Sequence, residues 1–91
     1  MAIIGVFDGE GITKAQYDQA LKEVSPDNRP PEGMLYHAAA PTANGWRVVE
    51  VWESQAAADK FFNEKLRQAL QNAKIEAQPP DFAPVHNIMK P

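Results

Sequence analysis

The 91-residue chain has no cysteine, which excludes a disulfide framework, a thiolate nucleophile and any thiolate metal site. It also lacks an excess of positive charge. Nine Lys and Arg against twelve Asp and Glu give a formal charge of -3, and the cations are scattered rather than gathered into the basic stripe that neutralises phosphates. Nucleic acid is therefore not expected as a partner. Long hydrophobic runs are missing too: the first apolar stretch, "MAIIGVF", ends at Asp8 and has no basic segment before it. It is too short for a membrane span or a signal peptide, so the expectation is a cytoplasmic protein without a membrane partner. Only two histidines occur, His37 and His86, with no carboxylates clustered around them at metal-ligand spacing, and there is no phosphate loop. Neither a metal nor another cofactor is expected.

What is present suits one small domain over residues 1–91, with 44% hydrophobic and 23% charged residues. A chain this short buries only about 60–65% of the surface it exposes when unfolded, so an oligomer that covers further apolar surface adds stability. "AIIGVF" (2–7) is an apolar, β-branched run bounded by "DGEG" and reads as a buried strand followed by a loop. In "TKAQYDQALKEV", Thr13 and Gln16 form a capping box, and Tyr17, Ala20, Leu21 and Val24 recur at helical spacing up to Ser25-Pro26. The stretch 25–33, with three prolines and a glycine, is a connecting loop.

"MLYHAAAP" (34–41) and "WRVVEVWE" (46–53) flank "TANG", where Asn44-Gly45 offers the positive φ of a tight hairpin turn. With those two residues as the loop, paired residue numbers sum to 89. His37 then lies opposite Trp52 and Ala39 opposite Glu50, all four on one face. Ser54 is the expected N-cap of a long helix whose Ala58, Phe62, Leu66, Ala69 and Ala73 form one side, widened by Phe61 and Leu70. After a loop at 78–81, "FAPVHNIMK" suggests a final strand, with Pro84 at an edge or bulge.

The order β-α-β-β-α-β predicts an α+β, ferredoxin-like fold: a four-stranded antiparallel sheet with both helices on one face. In the third strand Trp46, Val48, Glu50 and Trp52 point one way, and Arg47, Val49, Val51 and Glu53 the other. Both faces are too apolar for open water. One meets the helices and the other calls for a partner, which makes a homodimer the expectation.

"NGWRVVEVWES" leading into "AAADKFFNEKL", with a closing "PVHN", resembles the dimeric α+β barrel superfamily, which includes the antibiotic-biosynthesis-type monooxygenases. The resemblance spans nearly the whole chain. It implies two sheets packed face to face across a two-fold axis, and in each protomer a cavity between sheet and helices that takes quinols, haem or other small hydrophobic molecules. The haem-degrading branch carries an asparagine on the first strand and a histidine on the second helix. Residues 2–7 and 54–73 supply neither, which speaks against haem degradation.

The candidate catalytic residues are His37, His86 and Glu50. A histidine serves as a base near neutral pH; the alternative for His37 is a hydrogen-bonded core or interface role. Glu50 on an apolar face needs a partner, and a diagonal contact to His37 would supply one. Tyr36, His37, Trp52, Phe62 and Asn87 are the candidate ligand-binding residues. His86 and Asn87, as strand neighbours, point to opposite faces, so at most one looks into a given cavity. Two functions remain: a non-catalytic homodimer that binds a small hydrophobic or aromatic molecule, and a cofactor-independent monooxygenase or related enzyme acting on an aromatic or polyketide-like substrate.

Overall fold

The computed structural model describes residues 1–76 and 80–91; of the loop expected at 78–81, residues 78 and 79 lie outside the described residues. The elements are β1 (Ile3–Glu10), α1 (Lys14–Val24), β2 (Met34–Pro41), β3 (Gly45–Trp52), α2 (Gln55–Phe61), a π-helical turn (Phe62–Leu66), α3 (Arg67–Asn72) and β4 (Asp81–Pro84). The strands form one sheet in the order β2-β3-β1-β4, each antiparallel to its neighbours. This is the ferredoxin-like βαββαβ arrangement.

Both helix starts follow from their caps. Thr13 accepts from the Gln16 N–H at 3.2 Å while the Gln16 side chain accepts from the Thr13 N–H at 2.9 Å, satisfying two of the free donors at the start of α1. Ser54 Oγ accepts from the Ala57 N–H at 3.1 Å and opens α2. Past α2, the Arg67 N–H reaches back five residues to the Phe62 carbonyl. That extra residue per turn shifts the phase of the side-chain stripe. Phe61, one turn after Ala58 in α2, is a core residue against Trp52, as helical spacing predicts, with ring centroids 5.4 Å apart. Phe62 is half-buried, with the Arg67 guanidinium 5.3 Å from its ring centre.

Three expectations about the strands are corrected. The hairpin register sums to 87, not 89: His37 pairs with Glu50 and Ala39 with Val48, and the turn residues are Ala43 and Asn44, closed by Thr42 N–H to Gly45 O at 2.9 Å. Neither Asn44 nor Gly45 has a positive φ. Gly45 is a glycine for a different reason, because a Cβ there would run into the Gly9 carbonyl oxygen of β1. A shift of two preserves the faces, so Trp46, Val48, Glu50 and Trp52 still share one. Strand β1 also continues through Asp8 and Glu10, because Arg47 pairs with Asp8, with Nε 2.6 Å from Oδ1. The last strand stops at Pro84, earlier than expected, leaving His86 and Asn87 beyond it.

Two apolar clusters hold the helices on the sheet. Ile3, Met34, Trp52, Ala58 and Phe61 form the first, and Ala20, Ala69, Ala73 and Ile75 the second. The second uses small side chains, which bring α1 close to α3. Gln16 and Gln19 of α1 then donate to the carbonyls of Ala73 (3.2 Å) and Asn72 (3.0 Å), satisfying groups that the end of α3 leaves free. The opposite sheet face is uncovered in the protomer. Ile4, Val6 and Tyr36 are 37%, 43% and 47% exposed there.

Candidate functional site

Residues of both clusters border a cavity of about 370 Å³ between sheet and helices, within the usual range of about 300–1,000 Å³ for small-molecule sites. Its apolar wall includes Phe7, Ile12, Leu21, Phe61, Phe62 and Leu66. The polar groups are concentrated where β2 and β3 face α1.

There a single hydrogen-bonded chain runs from the core to the cavity. The Trp52 indole N–H donates to Glu50 Oε1 at 3.1 Å. Glu50 Oε2 lies 3.0 Å from His37 Nδ1, and His37 Nε2 lies 2.7 Å from the Tyr17 hydroxyl. An indole nitrogen only donates, so Oε1 is an acceptor, and a carboxylate in this position accepts again from Nδ1–H. That fixes the histidine tautomer. The Nε2 lone pair then faces the Tyr17 O–H, with the His37 and Glu50 side chains only 27% and 15% exposed. The arrangement holds a base in a set orientation by a carboxylate behind it.

Tyr17 is also one layer of an aromatic stack. Its ring lies 5.4 Å from that of Trp46 at 23° and 6.1 Å from that of His37 at 21°. Burial raises the Tyr17 pKa above its ordinary value, and the Glu50 and Asp18 carboxylates act in the same direction, so the phenol keeps its proton near neutrality. Trp46 borders the cavity, and its indole N–H is buried without a hydrogen-bond partner among the described residues.

The expected site residues are distributed as follows. His37, Glu50 and Phe62 border the cavity, and the first two touch as a directly opposed cross-strand pair instead of a diagonal one. Trp52, 1% exposed, is a core residue that supports Glu50 from behind. Tyr36 borders the rim but pairs with Val51 on the other sheet face. His86 and Asn87 are exposed beyond β4 and are not among the residues bordering this cavity. The sequence pattern places Tyr17 only on the apolar stripe of α1. The available signal was a hydroxyl on an otherwise aliphatic stripe, one turn after the Thr13 cap.

The molecule is a ferredoxin-like α+β protein with a cavity between its sheet and its helices. Three solved structures share this fold. A "putative antibiotic biosynthesis monooxygenase" from Deinococcus radiodurans superposes with a TM-score of 0.65 at 16% identity, covering 99% of this chain and 97% of the other. A protein so described from Chloroflexus aurantiacus gives 0.58 at 19% identity, covering 97% and 95%. A Mycobacterium tuberculosis protein gives 0.57 at 14% identity, covering 98% and 95%. No protein-family model and no curated protein matches the sequence. At these identities the likeness is one of fold. Among the described residues, no helix is long and apolar enough to cross a membrane.

Proposed function

We propose that the protein is a homodimer whose protomers each bind a small hydroxylated aromatic molecule between sheet and helices. The observation that carries this reading is the cavity itself: apolar and aromatic walls that meet the Tyr17–His37–Glu50–Trp52 chain at one place. Apolar walls supply affinity, and a few placed polar groups supply orientation. The dimer is supported by the uncovered face of Ile4, Val6, Tyr36, Val49 and Val51, since a contiguous apolar patch on a small protein marks an interaction surface. Native mass spectrometry of the purified protein tests both parts. A dimer carrying an extra small-molecule mass is the expected result, and a monomer would remove the dimer reading.

A second reading has its own support. A histidine fixed by a carboxylate is built to take a phenolic proton, as an enzyme of the cofactor-independent monooxygenase class or a related one requires. Oxygen uptake in the presence of a quinol, abolished in His37→Ala, is the result expected of the enzyme. Binding without turnover leaves the protein a binder.

A further inference from the structure

The proposed ligand has an aromatic body and a hydroxyl, and the border of the cavity adds a charge to that description. We infer that the cavity takes an aromatic carboxylic acid and that Arg29 is its anion-binding residue; the inference rests on the cavity reading above.

Arg29 lies in the connection between α1 and β2, and with Pro30 and Pro31 it forms part of the cavity border. The connection is held in shape by its own hydrogen bonds. Ser25 Oγ donates to the Arg29 carbonyl, the Asn28 N–H donates to Ser25 O at 2.9 Å, and the Met34 N–H donates to Pro31 O at 3.0 Å. Asn28 takes a left-handed conformation, φ 55°, which Asn tolerates better than most residues. The segment therefore presents its side chains from a defined backbone.

Charge accounts for the choice of ligand. Among the described residues, Arg29 is the one Lys or Arg that borders the cavity. Its guanidinium has no ion pair or hydrogen bond to another described residue. The one carboxylate on the border, Glu50, already has both oxygens engaged by Trp52 and His37. Those two hydrogen bonds come from neutral groups and leave Glu50 charged, so Arg29 is the one cationic donor at the border without a partner among the described residues, in a chain that as a whole carries -3. A guanidinium offers paired N–H donors that match a carboxylate. Tyr17, with its O–H directed to His37 Nε2, keeps a lone pair that accepts from a ligand hydroxyl. An aromatic acid with a phenolic hydroxyl satisfies both ends.

The test uses two probes that differ only in the carboxylate, 6-hydroxy-2-naphthoate and 2-naphthol, titrated calorimetrically into the full chain. Wild-type protein should bind the acid about fivefold more tightly, the scale of a partly exposed ion pair. The preference should shrink in about 1 M salt, where the screening length is about 3 Å. Arg29→Gln should erase the preference. Lys60→Gln, the same charge change at an exposed position away from the cavity, should retain it. Equal binding of both probes by wild-type protein would overturn the role of Arg29 and leave the cavity reading intact, as would a preference that survives in Arg29→Gln. Binding of neither probe would overturn both.

Discussion

On the helix-covered face of the sheet, Trp52 is 1% exposed, whereas Ile4 and Val6 on the other face are 37% and 43% exposed. The polar groups are distributed the other way round. His37 and Glu50 sit under the helices, while the middle of the open face is made of Ile4, Val6, Val49 and Val51. Its ion pair, Asp8 with Arg47, joins residues nearer the hairpin end. The covered face thus holds polar chemistry and the open one holds apolar surface. A lone folded monomer would favour the opposite distribution, since buried polar groups carry a desolvation cost and exposed apolar ones gain nothing. The pattern makes sense if the covered face surrounds a ligand and the open face meets a second copy.

Four substitutions test that contrast. The largest effect is expected from Trp52→Ala, which removes the largest core side chain and should lower unfolding free energy by about 3–5 kcal/mol, read from urea midpoints. Val51→Ala, its chain neighbour on the open face, should cost far less in the protomer; equal costs would erase the distinction between the faces. Next comes Val49→Lys, which places a charge in the proposed dimer interface, at several kcal/mol if left unpaired. Sedimentation should show dimers for the wild type and monomers for this variant. Glu50→Gln keeps the shape of the polar chain but sets an amide against two donors, and should cost about 1–3 kcal/mol; an unchanged midpoint would mean that Trp52 and His37 do not depend on the carboxylate.

Tyr17→Phe should have the smallest effect near neutral pH and a clear one in alkali. Folding raises the tyrosine pKa, so the folded state holds the proton more tightly than the unfolded chain. The resulting stability is complete below the unfolded value of about 10 and is lost as pH rises through the folded one. Urea midpoints at successively higher pH should fall more steeply for wild type than for Tyr17→Phe. Parallel curves would place the phenol in solvent, away from His37.

Much of the architecture was legible because its signals are local. The Thr13–Gln16 box, the Ser54 cap and the alternation through Trp46, Val48, Glu50 and Trp52 each depend on neighbours a few residues away, and each lies where the sequence placed it. The misread parts depend on distant contacts. Gly45 looked like a turn glycine, yet it answers to the backbone of Gly9 on another strand. The π-helical turn leaves no mark in a pattern counted at 3.6 residues per turn, and Phe62, where it begins, is only half-buried, whereas Phe61 lies in the core as its spacing predicts. The pairing of His37 with Glu50 was within reach because a two-residue slip keeps the face. Tyr17 was not, since only the docking of α1 on the sheet brings its hydroxyl to His37.

The two tryptophans, six positions apart on one strand face, divide their labour in a way that extends beyond packing. Trp52 is sealed in the core, and Trp46 stands at the cavity against Tyr17. The chain therefore carries two indole fluorophores, one shielded from whatever enters the cavity and one bordering it. Emission that changes on occupancy while its shielded component holds steady would make this protein its own optical gauge, with no label attached.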